Sequence, residues 1–173
     1  MNRFARIMQG LGWVGVALLT VVWAQGFVVR DEAPALAQHS TLALAAACFC
    51  ILPRFWTVAY LTLAARARRT RGCVPGERAA RLRRLAVVTA VVAVAGLAGS
   101  FALAGAILAR RASPLPHALA GCLGIALQIA ALVLERRALL ADAEEMAAMT
   151  AVPVPDTSAR SGGRGGSAVG EAS

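Results

Sequence analysis

Two histidines are the residues whose type and placement could most readily do chemistry. His39 and His117 are the only histidines in the chain, and each begins a long apolar segment. A neutral imidazole is a good iron ligand, and two imidazoles can hold a haem iron from opposite sides. If the two segments cross a membrane in the same direction, both side chains lie at one depth. His39 and His117 are therefore candidate axial ligands of a b-type haem. The alternative is two unrelated polar residues at helix starts, where such residues are ordinary.

Small residues follow the histidines at one or two helical turns, which would let a flat macrocycle approach the helices. They are Ala43, Gly121 and Gly124, with Gly105 on the neighbouring apolar segment. A histidine pair without a longer motif is a short signal. Haem binding is therefore an alternative function and not the main expectation.

Arg54 is the charged residue placed deepest in an apolar segment. It follows Pro53, and a proline removes a backbone hydrogen bond and kinks a helix. One interpretation is a kinked span in which Arg54 is paired or extends its long side chain toward the interface. The other is a span that ends near Leu52, with the remaining residues lying along the membrane surface.

Two further polar residues occur in the last apolar segment. Gln128 is in its middle, where an inter-helix hydrogen bond is the ordinary explanation. Glu135 ends it, and Arg136, Arg137 or an arginine of the central loop could neutralise its charge. We expect both residues to anchor helices and not to catalyse a reaction.

No sequence motif for catalysis is present. The chain contains no HExxH motif and no glycine-rich phosphate loop, and its four cysteines form no CxxC pair. No acidic residue inside an apolar segment accompanies a nucleophile. The sequence therefore favours a protein that is not an enzyme.

The composition favours a membrane protein, because a soluble protein of this size could not bury so much apolar surface. Of 173 residues, 58% are hydrophobic and 16% are charged, against roughly 25% charged residues in soluble domains. A helix needs about 20 apolar residues to cross a bilayer. Four segments meet this length, at about 7–29, 40–65, 85–109 and 115–134. We predict an all-α integral membrane domain over residues 1–149, with four transmembrane helices in an up-down bundle.

The C-terminal part divides into two stretches. Residues 135–148 keep a helical composition, typical of a span extended into the cytoplasm. Its acids are expected to be solvated while its large apolar residues face lipid or a partner; these are Asp142, Glu144 and Glu145, and Leu139, Leu140 and Met146. Residues 150–173 are rich in Pro, Gly and Ser, so they are predicted to form a disordered cytoplasmic tail.

Arginines indicate the orientation in the membrane. All 18 basic residues are arginine, which with the abundant alanine is typical of GC-rich bacterial genomes. Basic residues beside spans stay in the cytoplasm, so both termini and the loop at 65–84 are predicted there, in a bacterial inner membrane. Anionic lipid headgroups are the expected partners of that loop. Nucleic acid is not, because no aromatic residues alternate with the charges. The loop arginines are Arg66, Arg68, Arg69, Arg71, Arg78, Arg81, Arg83 and Arg84.

The order of these features resembles small, uncharacterised multi-span inner-membrane proteins of GC-rich bacteria. The residues that carry the resemblance are His39, FWTVAYL at 55–61, PHALA at 116–120 and LERRALL at 134–140. The resemblance implies the membrane architecture and no particular activity.

These observations favour a non-catalytic subunit or accessory protein that acts through helix packing, with a membrane protein as its partner. The alternative is an electron-transfer subunit with bis-histidine haem b. A small-molecule carrier is a third hypothesis, although the two halves of the chain show no repeat of the kind found in many transporters.

Overall fold

Four α-helices make up the regular structure of the described part of the chain. The computed structural model describes residues 3–27, 33–70, 72, 76–108 and 114–150. The helices are α1 (Arg3–Gln25), α2 (Ala33–Thr70), α3 (Glu77–Leu108) and α4 (Pro114–Thr150). All four are long and apolar enough to cross a membrane. The predicted all-α fold with four membrane-capable helices is confirmed. Apart from Thr150, the predicted tail lies outside the described residues.

Three helices continue well past the apolar segments that predicted them. At 1.5 Å per residue, the 38 residues of α2 extend about 57 Å, whereas the hydrocarbon core of a bilayer is about 30 Å thick. The flanking residues are mainly Ala, Leu, Arg and Glu, which favour helix even where hydropathy falls. The end of α2, the start of α3 and the end of α4 therefore form a charged helical extension, which we call the arginine end.

Helix α2 passes through Pro53 without ending. Because proline has no N–H, the carbonyl of Phe49 loses its usual helical partner. Gly15 of α1 lies against this point, and a Cβ added there would be 2.7 Å from the carbonyl carbon of Phe49. The close approach needs a residue without a side chain, so glycine sets the spacing of α1 and α2. Residues 33–70 thus form one helix on both sides of Leu52.

The helices form two main pairs, α1 with α2 and α3 with α4, joined by smaller contacts between α1 and α4 and between α2 and both α3 and α4. A core cluster at the arginine end joins all four helices through Ala5, Leu61, Ala86, Ala138 and Leu139. Small side chains dominate it, as expected where helices approach closely. Leu139 is thus a core residue, contrary to the expectation that it faces lipid or a partner, whereas Leu140 and Met146 are exposed.

Large apolar side chains cover the outside of the bundle. Val21, Phe55, Val91 and Leu123, one from each helix, are all more than half exposed. Soluble proteins rarely expose apolar surface over such an area. The surface is the kind that the acyl chains of a bilayer cover.

Candidate functional site

Arg54, Gln128 and Glu135 meet in the interior of the bundle, and we call them the central polar cluster. Nη1 of Arg54 donates a hydrogen bond of 3.1 Å to Oε1 of Glu135. Nη2 of Arg54 donates to the side-chain Oε1 of Gln128 at 2.5 Å and to its backbone carbonyl at 3.3 Å. The side chains of Arg54 and Glu135 are only 2% and 1% exposed. A charge buried this deeply is stable only with a partner, and each provides the other's.

The cluster connects three helices. Gln128 uses its other amide atom, Nε2, to donate 2.9 Å to the carbonyl of Ala93 in α3. Gln128 and Glu135 are seven residues apart on α4, which places them two turns apart on the same face. Arg54 on α2 reaches both, so one guanidinium fixes the rotation of α2 against α4, and the amide of Gln128 carries the connection to α3.

The partner of Glu135 differs from those suggested by the sequence. Arg136 and Arg137 are exposed, because residues one and two positions away on a helix do not share its face. The described arginines of the loop at 65–84 are at the arginine end, where Arg68 and Arg83 pair with other acids. Arg54 takes their place, 81 residues away in sequence, and it is paired and does not extend toward the surface.

Gln9 is a buried polar residue that the sequence analysis did not select. It is 6% exposed, and neither Nε2 nor Oε1 has a hydrogen-bond partner among the described residues. One turn earlier, Ala5 packs in the cluster with Ala138; one turn later, Gly12 faces Leu132. Gln9 is therefore level with Glu135. The signal available in the sequence was an amide inside an otherwise apolar first segment.

A cavity of about 360 Å³ lies at the opposite end of the bundle from the arginine end. Residues of all four helices line it, and we call it the histidine cavity because His39 and His117 both do so. Aromatic rings form part of its wall: Trp23 and Phe27 make an edge-to-face pair with centroids 4.9 Å apart, and Phe101 lines it from α3.

The structure brings the two predicted histidines together. The Nδ1 atoms of His39 and His117 are both buried and have no hydrogen-bond partner among the described residues. Both imidazoles line the same cavity, one from α2 and one from α4. Within the described part of the chain, no group of three or more His, Cys, Asp or Glu residues is placed to hold a metal ion.

The small residues expected around the histidines have different roles. Ala43 and Gly124 line the cavity. The indole of Trp23 lies directly against Gly121, and its Nε1 donates 3.1 Å to the carbonyl of Ala118. The face of Gly121 expected to admit a macrocycle is therefore occupied by Trp23. The surroundings of Gly105 lie outside the described residues.

Ion pairs join the helices at the arginine end. Arg68 binds Asp142 and donates 3.2 Å to Glu145, and Arg83 donates 3.3 Å to Asp142. Glu145 also accepts 2.8 Å from the backbone N–H of Gly76. Asp142 is 3% exposed, so the expectation that these acids are solvated is wrong for Asp142, because the guanidinium groups replace water around it.

Two of the loop arginines are consequently committed to protein partners. Arg68 is buried and Arg83 is half-buried in these ion pairs. Arg71 lies outside the described residues. The described loop arginines that remain exposed are Arg66, Arg69, Arg78, Arg81 and Arg84.

Comparison with known proteins gives no relative for this chain. No protein-family model matches it. No match is found among curated proteins or among solved structures. The basis for a functional assignment is therefore the chain's own side chains and their arrangement.

Proposed function

We propose that this chain is a non-catalytic accessory subunit of a bacterial inner-membrane complex, acting through helix packing. In this proposal its four helices cross the membrane in alternating directions, with both termini in the cytoplasm. The observation that carries the proposal is an exposed face of α3, described below, that is shaped for contact with another helix. The resemblance to small multi-span inner-membrane proteins agrees with this location.

The exposed face of α3 combines small residues at helical spacing. Ala95, Ala98, Gly99 and Ala102 are all exposed, and a Cβ added at Gly99 would meet nothing within 4 Å. The pairs Ala95 with Gly99 and Ala98 with Ala102 are each four residues apart. Small residues at this spacing allow two membrane helices to approach closely. We call these four residues the α3 face.

The interior supports a fixed scaffold. The guanidinium of Arg54 contacts both Gln128 and Glu135, so the ionisable groups of the central polar cluster are held by one another. Removing either partner of a buried pair leaves an uncompensated charge, which costs several kcal/mol. An arrangement of this kind stabilises one packing of the helices, as an accessory subunit requires.

The arginine end supports the orientation. Basic residues flanking spans are retained in the cytoplasm, and five of the described loop arginines are exposed at this end. They can bind anionic lipid headgroups of the inner leaflet. In the proposal these contacts are made by Arg66, Arg69, Arg78, Arg81 and Arg84.

Native electrophoresis of membranes extracted with a mild detergent tests the accessory role. We expect the 17.8 kDa chain to migrate within a larger complex, and Gly99→Leu to release it by blocking the α3 face. Gly10→Leu is the matched control, because Gly10 of α1 is also exposed with nothing within 4 Å of its Cβ position. Migration of the chain alone, or an equal effect of both variants, would contradict the proposal.

The second candidate function is a b-type haem subunit with His39 and His117 as axial ligands. The observation in its favour is that both imidazoles line one cavity and have buried Nδ1 atoms without partners among the described residues. A macrocycle resting on Gly121 would require the indole of Trp23 to leave its present position.

A visible absorption spectrum separates the two candidates. Bis-histidine haem gives sharp bands on reduction, and His39→Ala or His117→Ala should each abolish them. Gln38→Ala is the control, since Gln38 is exposed and next in sequence to His39. A colourless protein after expression with ample haem would rule out the second candidate and leave the first untouched.

A further inference from the structure

We propose that the histidine cavity binds the ring of a membrane-dissolved quinone, whose carbonyl oxygens accept hydrogen bonds from the imidazoles of His39 and His117. The inference depends on membrane location, but it does not depend on the accessory role of the α3 face. It concerns binding alone.

The polar side chains that line the cavity differ in whether they already have hydrogen-bond partners. Nε1 of Trp23 already donates to the carbonyl of Ala118. Oγ of Ser100 already donates to backbone carbonyls, at 3.0 Å to Gly96 and 3.3 Å to Ala120. Nδ1 of His39 and Nδ1 of His117 are buried and have no hydrogen-bond partner among the described residues. A neutral imidazole carries one N–H donor, so the cavity offers a ligand two hydrogen bonds from opposite helices.

Residues from all four helices line the cavity, and none of the described lining residues is Arg, Asp or Glu. Burying a charged headgroup without a counter-charge is costly, whereas a carbonyl oxygen needs only the N–H groups that His39 and His117 supply. A neutral ligand with hydrogen-bond acceptors therefore fits better than a phospholipid headgroup or a free anion.

The shape of the cavity suits a flat ring. Trp23, Phe27 and Phe101 present aromatic surface, against which a flat ring can stack. The volume of about 360 Å³ is at the lower end of the ligand-site range of roughly 300–1,000 Å³. One ring or two fused rings fit this space with the indole of Trp23 in place. A haem macrocycle is larger and would displace it.

The cavity is partly open, and Phe27 and Phe101 on its wall are 65% and 38% exposed. In a membrane these exposed rings would contact acyl chains. A quinone ring can then enter from the side while its apolar tail remains among the lipids. Entry from the lipid phase distinguishes a quinone from a water-soluble aromatic compound of similar size.

Quenching of Trp23 fluorescence provides the test. The chain has three tryptophans, so the double substitution Trp13→Phe and Trp56→Phe leaves Trp23 as the sole reporter. The purified protein in detergent is titrated with decylubiquinone and with menadione. We expect saturable quenching, with His39→Ala and His117→Ala each weakening affinity about tenfold, the loss of one buried hydrogen bond. Gln38→Ala should bind as the parent protein does.

A cavity-filling variant gives an independent check. Ala43→Leu keeps both histidines but places bulk in the cavity, so it should abolish saturable quenching while circular dichroism stays unchanged. Quenching that is linear and equal in all variants would show quinone in the micelle only and overturn the proposal. A Soret band on haem addition, with loss of quinone binding, would also overturn it, in favour of haem. The size of the native complex is unaffected by either result.

Discussion

Arg54 is the residue on which the interior depends most. Its guanidinium uses two nitrogens to bind Glu135 and Gln128, while its Nε has no partner among the described residues. Buried ion pairs are often no more stabilising than apolar residues of similar volume, yet the loss of one member costs much more. The cluster should therefore tolerate joint replacement far better than single replacement.

Single substitutions in this pair should be strongly destabilising. Arg54→Met leaves Glu135 buried without a counter-charge, and Glu135→Leu does the same to Arg54, so each should lower the free energy of unfolding by about 3–5 kcal/mol. The double variant Arg54→Met with Glu135→Leu should recover most of that loss. Denaturant unfolding in detergent measures all three, and the double-mutant cycle gives the coupling energy.

Arg66→Met is the control for the loss of an arginine from α2. Arg66 is exposed, so its replacement should change the free energy of unfolding by no more than about 0.5 kcal/mol. If the effects of Arg54→Met and Glu135→Leu simply added in the double variant, the pair would not be coupled, and the central polar cluster would not organise the bundle.

At the scale of the helices, α1 and α2 are held at the distance that Gly15 permits. A Cβ at this position would be 2.7–2.8 Å from backbone atoms of Phe49 and Cys50. Backbone cannot turn aside as a flexible side chain can, so α1 would have to move. The contact lies where Pro53 leaves the carbonyl of Phe49 without its helical partner.

Gly15→Ala should therefore destabilise the bundle, by about 1–3 kcal/mol, the usual cost of overpacking. Gly10→Ala should instead be neutral or stabilising by roughly 0.5–1 kcal/mol, because alanine favours helix and nothing lies within 4 Å of that position. Thermal unfolding of both variants in the same detergent checks the difference. Equal midpoints would mean that α1 does not approach α2 as closely as described.

The sequence predicted the helices better than their partners. Runs of apolar residues long enough for a bilayer were sufficient to find α1 to α4. The helical composition of residues 135–148 accounts for the extension of α4 to Thr150, whereas the apolar segment at 40–65 is shorter than α2, which continues to Thr70. The pairing of Arg54 with Glu135 depends on the rotation of two packed helices. Residues 81 apart carry no local signal of that rotation.

The histidine cavity, too, could be predicted from the sequence only in part. A shared depth for His39 and His117 followed from the position of each at the start of an apolar segment. The contact of the Trp23 indole with Gly121 could not be predicted in this way, because it depends on how the end of α1 packs against α4. A tryptophan near a segment end is typical of a membrane interface, so its position in the sequence gives no reason to place it inside the cavity.

For the whole molecule, the distribution of arginines predicts its orientation. A reporter fused after Arg71 or after residue 148 should be active only on the cytoplasmic side, and one fused near Ala33 only on the outside, because basic flanks are retained in the cytoplasm. Paired alkaline phosphatase and fluorescent-protein fusions measure both sides. An external location for the loop at 65–84 would reverse the proposed orientation, although the contacts among the helices would be unchanged.

The long separation between Arg54 and Glu135 also has a consequence for biosynthesis. A ribosome adds roughly 5–20 residues per second, so the 81 residues between them take about 4–16 s to make. Throughout that interval, in the proposed membrane setting, the newly made α2 contains an arginine whose carboxylate partner does not yet exist. Until α4 is made, Arg54 in the α1–α2 hairpin must therefore be hydrated or bound by the insertion machinery. We therefore expect translation speed across residues 55–135 to affect how many chains mature.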